Sequence, residues 1–407
     1  VKWEDNEERL RIFVRELLLM IKADVLQRNG DLDCTEIVWF RPLTFPANIS
    51  SMYEEVWEEE PKKILDVDKD KVQCYTESEA PYYFFKKKGI IPNSEAVTVI
   101  DIGGGSTDFV YFVENKPTVA NSVHFGCDVL WENGTAEFSD LRENGIYQRY
   151  ANTIQFESAH LEEINVGLEN DKNATTRDII NFWLDNAKDC NVARNLSTDF
   201  KPVFVYHFTS ILFYIANMYK DMNLEYPKTI IFSGNGSRYI DNFISNKDSV
   251  LKDIIDLIFS KVFKVSTDIH LRLPEERKES TCYGGLYREI DDKDADDRVY
   301  QGDRAEEYKN VGEILNGYEA MKPVLMKRYG EMVGIYQEVL SKLKHDRILD
   351  NSVNAAAYVN AANSGMEELL NTNFVKEVKE KYTPEDIYYG SVFFLPIIDK
   401  VYQLTKI

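Results

Sequence analysis

Long apolar runs are missing from the sequence, and a transmembrane helix needs about 18 or more consecutive apolar residues. The longest apolar stretch, residues 204–216, is interrupted by His207, Thr209 and Ser210. We therefore expect no membrane span. Cysteines are few and form no CxxC pair, which argues against a zinc site and a disulfide framework. We expect all five to be buried thiols of a protein in a reducing, cytoplasmic compartment: Cys34, Cys74, Cys127, Cys190 and Cys282.

Basic residues are also in short supply. Lys and Arg number 48 against 69 Asp and Glu, which gives a formal net charge of −21. Nucleic-acid binding needs a dense Lys/Arg surface, and adhesion to anionic lipid needs a similar one. We therefore expect neither a nucleic-acid partner nor a membrane partner. The apolar share of 44% and the aromatic share of 13% are typical of a globular protein, and 407 residues allow two or three domains.

The sequence begins with Val1 instead of a methionine and shows no recognisable targeting signal, so we expect a piece of a longer chain. Helix and strand patterns alternate in its first part. We predict a helix at 6–27, a strand at 36–40, a helix at 51–60 ended by Pro61, and a strand at 71–76. Such an alternation predicts a parallel or mixed sheet covered by helices.

A glycine-rich tip between two strands is the clearest signal in the sequence. Residues 96–100 and 109–113 are typical of strands, and 101–108 (DIGGGSTD) is the tight turn between them. Glycines leave backbone N–H groups open to an anion, hydroxyls add donors, and carboxylates suit Mg²⁺ held through its waters. We predict that phosphate binds at Gly103, Gly104, Gly105, Ser106 and Thr107, and the metal at Asp101 and Asp108. The alternative is an ordinary glycine turn with two solvated aspartates.

A second small-residue loop comes later in the chain. After a polar, weakly patterned stretch at 133–198, an apolar helix at 203–222 precedes a strand at 229–232. That strand runs directly into Ser233, Gly234, Asn235, Gly236 and Ser237. These small residues expose backbone amides, although an ordinary strand-to-helix turn has a similar composition. We then expect a helix at 242–262, a strand at 265–270 and the start of a helix at 282–286.

The two loops occur in the order found in one superfamily of ATPases. Residues 101–110 resemble the second phosphate loop, and 233–238 the adenosine loop, of the actin, Hsp70 and sugar-kinase superfamily. Asn235 departs from the commoner Gly-Gly pair. Residues 36–42 resemble the strand before the crossover between lobes, and 75–81 the first connecting segment of the Hsp70 and FtsA-like branch. Residues 278–285 resemble the later segment in which the helix after the adenosine site begins.

This resemblance implies roles for individual residues. Glu77 best matches the acidic residue beside the attacking water, and Glu79 is the alternative; both also suit a solvated pair in the first turn of a helix. Asp101 and Asp108 are implied to serve catalysis as well as the metal, and Lys278 to bind the nucleotide. The superfamily's first phosphate loop, Asp-x-Gly-Thr/Ser, should precede the helix at 6–27 and is absent from the sequence.

The implied fold is a two-lobed actin-like (ribonuclease H-like) α/β core with an incomplete first lobe, followed by a helical C-terminal domain. We predict the rest of the first lobe at 1–95, the second lobe at 96–290, and an acidic linker with helices at 291–407. The linker is the acidic run at 291–303, and the helices are expected at 313–343, 354–370 and 384–404. The aromatic residues of the tail either cap the ATPase, dock a partner or form the core of a separate bundle: Tyr388, Tyr389, Phe393 and Phe394.

The implied function is a nucleotide-dependent conformational switch. It would bind ATP or ADP with Mg²⁺ between the lobes, hydrolyse ATP slowly, and act on a protein partner or client. A standard Hsp70 chaperone is disfavoured because the tail is helical. A small-molecule kinase is disfavoured because no base for a sugar hydroxyl can be assigned. The alternatives are a catalytically inactive pseudo-ATPase that serves as an interaction module and an actin-like filament protein.

Overall fold

The fold is a mixed α/β arrangement with two sheets, as the sequence predicts. The computed structural model describes residues 6–41, 47–91, 96–135, 142–186, 188–191, 200–240, 248–275, 277, 279–287, 310–386, 388 and 390–407. Its strands are β1 (Ile37–Arg41), β2 (Val72–Thr76), β3 (Val97–Ile102), β4 (Thr107–Val113), β5 (Lys116–Val123), β6 (Thr229–Ser233) and β7 (His270–Arg272).

The helices cover both sheets and make up the C-terminal part of the chain. They are α1 (Glu7–Gln27), α2 (Ala47–Leu65), α3 (Ala80–Lys87), α4 (Gly145–Tyr150), α5 (Ala159–Asn170), α6 (Thr176–Asp185), α7 (Lys201–Asp221), α8 (Asp248–Phe263), α9 (Ser280–Tyr287), α10 (Val311–His345), α11 (Ala355–Asn363), α12 (Met366–Phe374) and α13 (Leu395–Thr405). None of the helices in the described ranges is both long enough and apolar enough to cross a bilayer.

The smaller sheet pairs β1 with β2 in parallel. Apolar side chains of α1 recur at helical spacing and pack with β1 and α2 in one core, for example Val14 with Trp39 and Val56. The helix α1 begins after Asn6, whose side-chain oxygen accepts a hydrogen bond from the backbone N–H of Arg9. The first predicted helix and both predicted strands of this region are thus confirmed to within a residue or two.

The larger sheet has the order β5-β4-β3-β6-β7. The strands β3, β4 and β5 form an antiparallel meander, whereas β3, β6 and β7 run parallel. Parallel strands end at the same edge of a sheet, so the ends of β3 and β6 lie together there. The glycine tip between β3 and β4 and the small-residue loop after β6 therefore meet at this edge.

Alternation along β3 gives the larger sheet two different faces. Val97 and Val99 pack with the aromatic side chains of α3, such as Phe85. Ile100 and Ile102 point the other way, into a core that also contains α7, α8 and the helices after residue 310. Continuous burial of β3 and β6 is what a parallel pair covered on both faces requires.

The helix α9 connects the two sheets. A Cβ on its Gly284 would overlap the carbonyl oxygen of Ala80 in α3, and one on Gly285 would overlap the ring of Phe40 in β1. Ser280 is the first residue of α9, and its hydroxyl oxygen lies 2.7 Å from the hydroxyl oxygen of Ser233 at the end of β6. The small residues of α9 therefore allow one helix to contact α3, the smaller sheet and the larger sheet.

The C-terminal helices share the core of the larger sheet. The Tyr336 hydroxyl of α10 donates to the carbonyl of Pro202 at the start of α7, at 3.0 Å. Phe394 is buried and stacks on Phe125, with 4.4 Å between ring centroids. A mainly helical tail is confirmed for the described residues from 311 on. The division into three domains stays a prediction, and the acidic run at 291–303 and Tyr389 lie outside the described residues.

Several predicted boundaries are wrong. The helix α2 continues past Pro61, which is buried within it, because Val56 and Leu65 on either side of it belong to one core with α1. The strand predicted at 265–270 overlaps the short edge strand β7 only at His270, since pairing with β6 runs from His270 to Arg272. A helix predicted at 354–370 is divided at Gly365, whose φ of 66° is left-handed. The last helix begins at Leu395 rather than 384, and the weakly patterned region contains α4, α5 and α6.

Cysteine burial is also predicted wrongly in part. Cys34 and Cys282 are exposed, because each lies on a short helical segment at the surface. Cys74, Cys127 and Cys190 are half-buried, and none of the five cysteines forms a disulfide. The predicted helix at 242–262 is observed as α8 from Asp248 on, and residues 242–247 lie outside the described part of the chain.

Candidate functional site

Two carboxylates face each other at the end of the central hairpin. Asp101 of β3 is the direct cross-strand partner of Asp108 of β4, so both side chains lie on one face of the sheet. The strands extend further than the sequence predicts, and only residues 103–106 form the tip. By alternation this is the face covered by α3 and α9, since Val99 and Val110 share it.

The tip is held by its own hydrogen bonds. The Gly103 N–H donates to the carbonyl of Ser106 at 2.8 Å, and the Ser106 hydroxyl donates to Asp108 Oδ2 at 3.2 Å. The Thr107 hydroxyl is buried and donates to the carbonyl of Phe125 at 2.7 Å. Its side chain therefore supports the tip from below, whereas Gly105 is exposed at the tip.

The loop after β6 packs directly on this hairpin. Gly234 has a φ of 78°, and a Cβ there would lie 2.5 Å from the carbonyl oxygen of Ile102 and would overlap the Asp101 carboxylate. Only glycine fits at this position. Ser233 pairs with Asp101 in the ladder and donates its hydroxyl to Asp101 Oδ2 at 3.1 Å. Asn235, which departs from the Gly-Gly pattern, is exposed.

A third segment, which the sequence analysis did not single out, lies against the same tip. The N–H of Cys127 donates to the carbonyl of Gly103 at 3.0 Å, and the N–H of Asp128 donates to that of Gly104 at 2.9 Å. Arg177 Nη1 of α6 lies 3.4 Å from Asp128 Oδ2. Burial raises the pKa of the Asp128 carboxyl, although Arg177 opposes that effect, and burial raises the pKa of the Cys127 thiol.

Below the tip, a buried histidine joins two segments of the site. His207 of α7 has Nε2 2.8 Å from the carbonyl of Gly126 and Nδ1 2.9 Å from the Tyr239 hydroxyl. Because a carbonyl only accepts, Nε2 carries the proton and Nδ1 accepts from the tyrosine. Burial lowers the pKa of His207 from 6.5 to about 4, so the ring is neutral at pH 7. Phe125 stacks on the ring at 4.6 Å between centroids.

This neutral histidine should make stability depend on pH. Its folded pKa is below its unfolded pKa, so its contribution is complete above pH 6.5 and is lost as the pH falls from 6.5 to 4. We expect up to about 3 kcal/mol of the free energy of unfolding to disappear over this window. Urea unfolding of the wild type and His207→Gln at both ends should show a smaller loss for the variant, whereas exposed His345→Gln should match the wild type.

A cavity of about 930 Å³ opens beside the tip, on the side away from α3. Its walls come from the tip, the segment after β5, α6, α7, the loop after β6 and the residues after β7. The lining residues include Gly104, Cys127, Asp128, Asn181, Phe204, Asn235, Gly236, Arg238, Tyr239, Glu275 and Arg277. Both predicted glycine loops thus contribute to one cavity, and the facing aspartates lie on the opposite side of the tip.

Arg277 holds the far wall of this cavity. Its guanidinium is buried and donates to the carbonyls of Pro274 and Ser237, at 2.9 and 3.1 Å. The hydroxyl of Ser280 donates to the carbonyl of Arg277 at 2.8 Å, which connects this wall to α9. Arg238 is exposed at the rim.

The remaining predicted residues lie at the start of α3 or outside the described chain. Glu77 follows β2, is half-buried, and donates its N–H to the carbonyl of Arg41 at 3.1 Å. Glu79 is buried, at the residue that precedes α3. Lys278 lies outside the described residues. No group of three or more His, Cys, Asp or Glu side chains in the described ranges could hold a metal. The predicted metal site is a pair, Asp101 and Asp108.

Among known proteins, only solved structures are similar to this chain. No family model matches the sequence, and no curated protein does. The chain is similar to MreB5 of Spiroplasma citri bound to ADP, at 12% identity and a TM-score of 0.37, over 69% of this chain and 74% of that chain. It is also similar to an archaeal actin homolog, at 12% identity and a TM-score of 0.32, over 65% of this chain and 72% of that chain. A third similar structure is a ROK family glucokinase from Streptomyces griseus, at 12% identity and a TM-score of 0.31, over 56% of this chain and 70% of that chain. At these scores the likeness assigns neither a family nor a function to the chain.

Proposed function

We propose that this chain binds a nucleoside triphosphate with Mg²⁺, ATP being the expected nucleotide, and changes conformation with the state of that nucleotide. The observation that carries the proposal is the meeting of two glycine loops, distant in sequence, at one cavity beside the ends of β3 and β6. In open α/β sheets, ligands bind at the ends of parallel strands. The relation to the Hsp70 and FtsA-like branch is part of the proposal.

The tip suits a phosphate chain with its metal. Residues 104–106 offer backbone amides without bulky side chains, and Gly105 is exposed among them, whereas the N–H of Gly103 already donates to the carbonyl of Ser106. Asp101 and Asp108 face each other as direct cross-strand partners, and like charges in that position destabilise a sheet. A cation between the tip and α3 would remove this repulsion. A bound Mg²⁺ would be held through its waters by these carboxylates, and it would supply charge neutralisation for the phosphates.

The cavity suits the nucleoside. Its volume of about 930 Å³ lies within the range of about 300–1,000 Å³ typical of ligand sites. Phe204 and Tyr239 give it apolar wall area, and Asn181 and Asn235 add amides. Its lining carries three carboxylates, Asp128, Asp185 and Glu275, against two guanidinium groups, Arg238 and Arg277, so a bare polyphosphate would gain no net attraction there. The nucleotide is therefore expected to bind with its metal.

The contacts of α9 provide a route for a conformational response. Asp101 accepts from Ser233, whose oxygen lies beside that of Ser280, and α9 in turn contacts α3 and β1. A ligand that moves Asp101 would therefore bias the position of α9 and of the smaller sheet. Slow hydrolysis would use Glu77 to orient water, with Glu79 as the alternative. Both residues precede α3, the helix on the carboxylate face of the larger sheet.

Binding of ATP by Asp101→Asn tests this proposal. The substitution keeps the shape of the side chain and removes its charge, so we expect Mg²⁺-ATP to bind roughly 10- to 100-fold more weakly by calorimetry, as the loss of hydrogen bonds to a charged group predicts. With EDTA in place of Mg²⁺, the two proteins should differ by less than about threefold, because the carboxylate acts through the metal.

The matched control is Asp24→Asn, a surface carboxylate of α1 that pairs with Arg28. It should bind Mg²⁺-ATP as the wild type does, and circular dichroism should show all three proteins folded. If the wild type binds neither ATP nor ADP, the proposal is wrong and the inert interaction module is favoured. Equal Mg²⁺-ATP affinity of Asp101→Asn and the wild type would remove the metal role of Asp101.

A further inference from the structure

Asp128 lies where the two functional parts of the cavity meet. Its N–H donates to the carbonyl of Gly104 in the tip, and its side chain lies over the same glycine. An ideal Cβ on Gly104 would be 2.6 Å from Asp128 Oδ2. The preceding residue, Cys127, lies against the second loop, because a Cβ on Gly236 would be 2.9 Å from its Sγ. A ligand that spans the two loops must therefore pass this carboxylate.

The chemistry of a carboxylate restricts what can lie beside it. An ionised carboxylate accepts hydrogen bonds or binds a cation, so a group of the nucleotide itself that contacts it must donate. Phosphate oxygens do not donate and carry the same sign of charge. The donors of a nucleoside triphosphate are the sugar hydroxyls and the groups on the base. With the phosphates on the amides of residues 104–106, the group next along the molecule is the sugar.

The surroundings of Asp128 keep its carboxylate in place. Arg177 Nη1 lies 3.4 Å from Asp128 Oδ2 and also 3.4 Å from Glu132 Oε1. The Asp128 side chain is only 14% exposed, whereas that of Arg177 is 40% exposed. The arginine thus offsets part of the buried charge and leaves the carboxylate facing the cavity.

From this placement we infer that Asp128 accepts a hydrogen bond from a sugar hydroxyl, so that the site selects ribonucleotides over deoxyribonucleotides. This inference rests on the proposed nucleotide function and adds the sugar as a recognised group. Asp185 and Glu275 are also carboxylates of the cavity, but both are exposed. A hydroxyl would gain less from them, because solvent competes for the same hydrogen bond.

The test is calorimetric binding of ATP, 2′-deoxy-ATP and 3′-deoxy-ATP, each with Mg²⁺. The wild type should bind at least one deoxy analogue roughly 10-fold more weakly than ATP, the effect of losing a hydrogen bond to a charged acceptor. In Asp128→Ala this ratio should fall to within about twofold. Asp128→Asn, which retains one neutral acceptor oxygen, should give an intermediate ratio and serves if the alanine variant does not fold.

Glu132→Gln is the matched control. It changes the other carboxylate beside Arg177, which is not among the residues that line the cavity. It should keep the wild-type ratio between ATP and the deoxy analogues. Equal binding of all three nucleotides by the wild type, or an unchanged ratio in both Asp128 variants, would overturn this inference while leaving nucleotide binding intact. If ATP does not bind at all, the proposed function and this inference are both wrong.

Discussion

Alanine in place of Gly284 should destabilise the protein more than any other substitution considered for this chain. A Cβ at this position would overlap the carbonyl oxygen of Ala80, a backbone atom of α3 that no change of side-chain rotamer can move. The two helices must then separate, and α9 loses its packing on α3. We expect a loss of about 3 kcal/mol or more in the free energy of unfolding, at the upper end of overpacking effects.

Urea unfolding at pH 7 measures this change. The matched control is Gly334→Ala in α10, because a Cβ there would meet no atom within 4 Å. Alanine is a better helix former than glycine, so the control should gain about 0.5–1 kcal/mol. Opposite shifts of the two unfolding midpoints are the expected result. A stabilised Gly284→Ala variant would contradict the close approach of α9 to the backbone of α3.

Neutralising Glu60 should be the second most damaging change. Its carboxylate is completely buried between α1 and α2, where Arg15 Nε lies at 2.6 Å, Arg11 Nη1 at 3.0 Å and Lys63 Nζ at 3.1 Å. Removing one member of a buried ion pair typically costs about 3–5 kcal/mol. Arg15 and Lys63 are about half exposed and therefore screened by solvent, so we expect roughly 2–3 kcal/mol for Glu60→Gln at pH 7.

The pH dependence of this effect gives a second readout. The hydrogen bond from Arg15, with those from Lys63 and Arg11, lowers the pKa of Glu60 from 4.5 to about 2. A lowered carboxyl pKa contributes stability above the unfolded pKa and loses it as the pH falls through the folded pKa. The difference between wild type and Glu60→Gln should therefore shrink between pH 4.5 and pH 2.

The neighbouring Glu59→Gln is the control for Glu60. Glu59 shares the partners Arg11 and Lys63 but its side chain is 44% exposed, so solvent screens its charge and its replacement should change the free energy of unfolding much less than Glu60→Gln does. Equal effects of the two substitutions would show that burial of Glu60 contributes nothing beyond the surface charges.

The central hairpin could be predicted from sequence because its signals are local. Apolar, β-branched and aromatic residues on both sides of 101–108 predict two strands, and the glycines predict the turn between them. The parallel pairing of β3 and β6, through which the two glycine loops meet, joins residues that are far apart in the chain, so no local pattern specifies it. The exact length of the tip was not predictable, because Asp101 and Asp108 are poor strand formers and are held in the ladder by their neighbours.

Asp128 and His207 illustrate what sequence reasoning missed. The segment after β5 shows only a glycine at the end of a strand, and this pattern does not say that the next two N–H groups bind the tip. His207 was considered only as an interruption of an apolar stretch, and its contacts with Gly126 and Tyr239 join segments that are far apart in the chain. The end of α2 was missed for a similar reason, since tertiary packing outweighs the local effect of Pro61.

The stacking of Phe394 on Phe125 has a consequence for cooperativity. Phe125 also stacks on His207, and its carbonyl accepts a hydrogen bond from the Thr107 hydroxyl beside the tip. The C-terminal helices and the residues that support the tip therefore share one core. Units that share a core unfold together, whatever their separation along the chain. The C-terminal helices and the tip are therefore expected to unfold as one cooperative unit. Stabilisation of the tip would then also reduce fraying of the C-terminal helices.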